Sequence, residues 1–175
     1  KNDIWLNPRI GVGALMRNNW IGELSNNYLS GCIRPQDLEQ NNLTFVTFNY
    51  DQILEDAFPV FVKNHERFRE AQTEHFPNVI HVHGSFEPVG DHSMTLEFYE
   101  RQVPRMKFIS DSLEHPGVSV EIAKQRLHEA RRIYCVGFAF EELNCDLLGA
   151  GAWGNKVVAL NFDGNTRVTR AMNRM

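Results

Sequence analysis

Four short apolar runs decide most of what this chain can fold into: Thr44-Phe45-Val46-Thr47-Phe48, Val79-Ile80-His81-Val82, Ile133-Tyr134-Cys135-Val136 and Val157-Val158-Ala159-Leu160. Each is rich in β-branched or aromatic residues, which suit a pleated surface, and each stops at Asn, His-Gly or Gly, so each reads as a buried strand. Their largely unbroken apolar character fits a parallel sheet covered on both faces. Before the third run, residues 119–132 carry Ile122, Ala123, Leu127 and Ala130 at helical spacing. Helix followed by strand is the α/β rhythm. Residues 52–71 also read as helical, with Asp51 placed to cap them and Pro59 expected to split or kink them.

A length of 175 residues is that of one ordinary domain, and 42% hydrophobic residues are enough to fill a core. Residues 1–42, with Leu15, Trp20, Ile21, Leu24, Tyr28 and Leu29, read as a helical insert or cap of one or two helices with Asn-rich turns. Residues 43–163 form the motif-bearing core. Residues 87–116, rich in proline and with a short helical centre around 96–101, read as a cover over the sheet edge. Little regular structure is expected between the third and fourth runs.

The net charge of −4 makes nucleic acid an unfavoured partner, because binding to phosphate backbones relies on clustered Lys and Arg. Cys32, Cys135 and Cys145 are too few and too scattered for a disulfide framework or a paired zinc site, so a cytoplasmic setting and no metal are expected. No window approaches the roughly 18 apolar residues of a membrane span, and the first residues lack the apolar core of a secretion signal. The missing initiator Met and the abrupt Arg174-Met175 end lead us to expect a piece cut from a longer protein.

The chemistry-bearing residues stand at strand ends, where open α/β sheets bind their ligands. In Thr47-Phe48-Asn49-Tyr50-Asp51, Asn49 can offer a donor and an acceptor to a ribose or an amide; equally, Asn49 can close a turn and Asp51 cap a helix. In His81-Val82-His83-Gly84-Ser85, alternation puts His81 and His83 on one face, and Gly84 allows close approach to the backbone. A histidine near pKa 6.5 suits proton abstraction at neutral pH, although a single buried histidine more commonly serves structure. Gly137, in Cys135-Val136-Gly137-Phe138-Ala139-Phe140, leaves room for a phosphate or ribose against bare backbone, and Asn161 ends the fourth run as either a ligand contact or a turn former.

Taken in order, Thr47-x-Asn49-x-Asp51, His83-Gly84, Gly137-Phe138-Ala139-Phe140 and Asn161 resemble the sirtuin-like family, and the ordered set is far more specific than any one member. The Asn-Tyr-Asp wording and the lack of a four-cysteine module look more like the bacterial SIR2-like domains, many of which hydrolyse NAD, often in antiphage defence, than like protein deacetylases. The resemblance implies a Rossmann-type three-layer fold. It implies NAD as substrate or ligand, lying across the strand ends, and departure of nicotinamide through a transition state with oxocarbenium character. His83 would act as base toward a ribose hydroxyl or water, Asn49 would position that ribose or water, and Asp51 would organise the pocket. Thr47, Gly84, Gly137, Phe138 and Asn161 would contribute to holding NAD, Asn161 on the adenosine ribose.

Two features depart from the family pattern. The Gly-Ala-Gly phosphate loop is not recognisable, since Gly11-Val12-Gly13 follows Asn7-Pro8-Arg9 rather than a buried strand and reads as a turn. The loop is expected upstream of Lys1, and the 175-residue piece is expected to be inert alone, because the loop supplies backbone donors and a helix N-terminus to the pyrophosphate. Ala139 stands where the family often has a hydroxyl residue. The leading expectation is an NAD glycohydrolase, regulated by an attached sensor domain or by homo-oligomerisation. The alternatives are an NAD-sensing module without catalysis and an NAD-dependent protein deacylase.

Overall fold

The structure is a computed structural model that describes residues 20–87, 95–160, 166, 169 and 170. All four apolar runs form strands: β1 (Thr44–Thr47), β2 (Asn78–His81), β3 (Ile133–Val136) and β4 (Val157–Leu160). Among the described residues they make two two-stranded sheets, β1 with β2 and β3 with β4. The second pair is parallel, in the register Ile133 to Val157 through Val136 to Leu160. The helices are α1 (Trp20–Leu29), α2 (Ile53–Lys63), α3 (Leu96–Gln102), α4 (Ile109–Glu114), α5 (Val118–Glu129) and α6 (Glu142–Leu148), so the class is α/β.

The chain divides into two compact units, one of Lys1–Phe45 with Asp51–Val79 and one of Val46–Tyr50 with Ile80–Met175. In the first, α1 and α2 pack around Ile21, Tyr28, Leu29, Leu38, Phe58, Phe61 and Val62. Phe58 meets Tyr28 and Phe45 edge to face at 5.3 and 5.4 Å, the arrangement that the ring quadrupoles prefer. The Tyr28 hydroxyl reaches the carbonyls of Leu38 and His75 at 3.0 and 2.8 Å, and burial pushes its pKa up to about 12. It therefore stays a donor throughout the physiological range. Pro59 lies inside α2, which ends at Lys63 and is followed by a 3₁₀ turn at Glu66–Phe68. The N-cap of α2 is Gln52 rather than the expected Asp51, which stands one residue earlier and through Oδ1 accepts from the Ile53 amide at 3.1 Å.

In the second unit the core gathers Val82, Val120, Ala123, Ile133, Cys135, Phe140, Leu147, Leu148 and Trp153. The expected helix before β3 is α5, and the helical centre of the proline-rich segment is α3, capped by Thr95 Oγ1 on the Phe98 amide. Residues 142–156 correct the expectation of little regular structure between the last two strands. They hold α6 and two 3₁₀ turns, with Leu147 and Leu148 buried and Gly149 closing α6 at φ +67°. The glycines that follow it, Gly149, Gly151 and Gly154, read as turns and hide the short helix in the sequence. β3 buries Ile133 and Cys135 but leaves Tyr134 67% exposed, so one face of that strand is open. Among the described residues, no helix is long and apolar enough to cross a membrane. Residues 1–19, which include Gly11-Val12-Gly13 and part of the expected cap, lie outside the described residues, as do 88–94 and Asn161.

Candidate functional site

Within the second unit, the segments that follow β1 and β2 lie side by side. The Val82 amide donates to the Thr47 carbonyl at 2.9 Å and the Phe86 amide to the Tyr50 carbonyl at 2.7 Å. Thr47 Oγ1 accepts from the Asn49 amide at 3.1 Å, a local turn that leaves Asn49 exposed. The Asn49 carbonyl is 2.8 Å from His81 Nδ1. Because a carbonyl only accepts, His81 carries a proton at Nδ1. Thr47, Asn49 and His81 are thus joined by backbone and ring bonds, and the Asn49 side chain has no partner among the described residues.

β2 ends at His81, so the strand alternation expected to place His81 and His83 together does not extend to His83. His83 instead lies in the turn after the strand, 7% exposed, next to the buried Val82. Its Nδ1 is 3.1 Å from Ser112 Oγ on α4, and its carbonyl accepts from the Lys107 amide at 2.8 Å. Its ring lies 5.2 Å from that of Phe48, which stacks at 5.6 Å on Phe138. Phe138 in turn meets Phe140 at 4.8 Å. One aromatic wall therefore links the end of β1, His83 and the segment after β3.

Burial lowers the His83 pKa from its ordinary value of 6.5, so the imidazole is neutral at pH 7 and able to accept a proton. The same shift ties stability to pH. Between the lowered folded value and 6.5 the unfolded chain binds more protons, so stability from this group is complete above 6.5 and is lost as pH falls through that window. Urea midpoints measured from pH 8 to pH 5 are expected to fall less steeply in His83→Gln than in the parent; identical slopes would contradict a buried neutral imidazole.

Gly84 has φ +90°, and a Cβ placed there would run into the Arg105 carbonyl oxygen. Close backbone approach is therefore realised at Gly84, but toward the chain's own loop. Gly137, at φ +65°, has nothing within 4 Å of a would-be Cβ. Its bare backbone faces open space, as a ribose or phosphate contact requires, a property it shares with Gly31, Gly149, Gly151 and Gly154. Phe140 adopts φ 54° and is 5% exposed, a conformation uncommon outside glycine and held here by burial among Phe138 and its neighbours. Burial raises both nearby thiols, Cys135 to about 11 with a contribution from Cys145, so neither is a thiolate nucleophile at neutral pH. Among the described residues no group of three or more His, Cys, Asp or Glu could hold a metal ion.

Of the residues expected to form the site, the structure brings Thr47, Asn49, His83, Gly84 and Phe138 into one connected set within the second unit. Asp51 belongs to the first unit, where it accepts from the first amide of α2, and Asn161 lies outside the described residues. Ser112 and Phe48 were not anticipated. Phe48 sat unnoticed inside the first motif, and Ser112, 29 residues after His83, carries no sequence signal of the pairing.

The SIR2-like domain family matches residues 43–144, more than half of the chain, and the chain belongs to that family. The match takes in Thr47, Asn49, Asp51, His83, Gly84, Gly137 and Phe138, and ends before Asn161. No curated protein and no solved structure matches the chain.

Proposed function

We propose that this SIR2-like domain binds NAD and cleaves it as a glycohydrolase, releasing nicotinamide. The observation that carries the reading is His83: a neutral, buried imidazole anchored through Nδ1 and left without a partner at Nε2 among the described residues, in a chain of this family. The neighbouring groups fit a nucleotide. Gly137 offers open backbone, and the Asn49 side chain is exposed and uncommitted.

NAD supplies the bond to be broken, between nicotinamide and its ribose. His83 Nε2 takes a proton from a ribose hydroxyl or from the attacking water. Asn49 orients that group through its amide, and the aromatic wall of Phe48 and Phe138 keeps bulk water from the imidazole. Thr47 shapes the Asn49 turn, and Gly84 sets the turn that carries His83. Asp51 and Asn161 keep the roles that the family resemblance implies, as does the Rossmann-type three-layer arrangement. A place in antiphage defence, a cytoplasmic setting and control by an attached sensor or by self-assembly belong to the same proposal.

The test is direct. The intact protein is expected to release nicotinamide from NAD, followed by chromatography, in a first-order process that stops when NAD is exhausted. Calorimetric binding of NAD without nicotinamide release would favour a sensing module. Loss of acetyl groups from acetyl-lysine peptides, strictly dependent on NAD, would favour a deacylase.

A further inference from the structure

We infer that Ser112 is the positioning residue of His83: its hydroxyl, brought to Nδ1 by α4, holds the ring so that Nε2 is the atom presented for chemistry. The inference rests on His83 being the base of the proposed reaction, and it adds a partner that no motif of the chain indicates. The two groups lie 3.1 Å apart, and Ser112 is 0% exposed, so no water competes for the contact. Each is the other's match. Among the described residues, Ser112 Oγ has no hydrogen-bond partner but His83 Nδ1, and His83 Nε2 has none at all.

A hydroxyl holds the ring through Nδ1 in each of its protonation states. A carbonyl can only accept, and so would lock Nδ1 in its protonated form, as the Asn49 carbonyl does for His81. A hydroxyl can turn, donating to a bare Nδ1 or accepting from Nδ1–H. In the form a base requires, Nδ1–H donates to Ser112 Oγ and Nε2 is bare. When Nε2 takes a proton, the same Nδ1–H···Oγ bond persists and becomes charge-assisted, which stabilises the imidazolium. The ring therefore need not reorient during proton transfer. Two further contacts limit its movement, the Phe48 ring tilted beside it at 5.2 Å and the Lys107 amide on its backbone carbonyl.

Long-range ¹H–¹⁵N spectra of the imidazoles in the whole chain test the pairing without any reference to activity, with His83→Gln identifying the His83 signals. Ser112→Ala is expected to change the tautomer balance reported by the two ¹⁵N shifts of His83 while leaving those of His81 in place, and Ser112→Thr is expected to restore the parent pattern. In turnover by the intact protein, Ser112→Ala is expected to lower kcat about tenfold with KM within about twofold, and Ser112→Thr to recover most of it. Unchanged His83 shifts in a folded Ser112→Ala protein would overturn the inference, as would Ser112→Ala turnover equal to that of the parent. If the parent itself releases no nicotinamide while the His83 shifts respond to Ser112, the pairing stands and the hydrolase reading is what fails.

Discussion

His83→Ala in the intact protein is expected to reduce nicotinamide release from NAD by about 100-fold or more, the range over which a positioned general base acts. The far-UV circular dichroism should remain that of the parent. Three features of the site combine in this effect. The imidazole is neutral at pH 7 because burial disfavours its charged form, its Nδ1 is held by Ser112, and its Nε2 has no partner among the described residues. Alanine removes the proton acceptor and leaves a space between Phe48 and α4, which costs some stability, so activity is best measured well below the melting temperature. NAD affinity, measured by calorimetry, should change little if the imidazole acts mainly in the transition state. Turnover within about twofold of the parent would remove His83 from the mechanism.

Gly84→Ala is expected to destabilise the second unit strongly, by about 3 kcal/mol or more, combining positive-φ strain with a steric collision. In a chain of this size that corresponds to a fall in Tm of roughly 6–12 °C. At φ +90° any L side chain is strained, and the added Cβ would occupy the place of the Arg105 carbonyl oxygen. Both partners are backbone. Moving them apart would strain the bond from the Lys107 amide to the His83 carbonyl, which ties this turn to the segment after α3. Gly149→Ala is the appropriate comparison, since Gly149 has φ +67° with nothing within 4 Å of the added atom. It should cost only about 1 kcal/mol, from the left-handed backbone alone. The difference between the two melting temperatures measures the collision. Equal losses would mean that the turn at Gly84 opens freely and that the close approach has no energetic weight.

Gly84 also illustrates how the sequence was readable. Glycine after His83 announced a close approach, and the approach exists, yet the partner is Arg105 rather than a ligand. Gly137 was read in the same way and does face open space. The residue type states only that a side chain would be a problem, either for steric or for conformational reasons. What occupies the vacated volume depends on segments distant in sequence. Similarly, Asp51 offers two readings, and the hydrogen bonds display a local one, acceptance from the Ile53 amide one residue ahead of the N-cap Gln52. Helix α6 was hidden by Gly149, Gly151 and Gly154, which follow it and read as turns, whereas the twelve residues of α5 displayed their period without such interruption.

The sequence by itself determined where the strands run and which residues stand at their ends. Dense β-branched and aromatic stretches, bounded by turn residues, favour extended backbone through local sterics and burial, and β1 to β4 fall within a residue of those stretches. The ordered motifs likewise determined membership of the SIR2-like family, because their order survives any uncertainty about packing. Only the tertiary structure decided how His83 is held. Its anchor lies 29 residues away on a short helix, and a hydrogen bond between such groups depends on how α4 packs. Neither the periodicity of a strand nor that of a helix extends across such a separation, so the state of the one imidazole on which the proposed chemistry turns was visible only once the chain had folded.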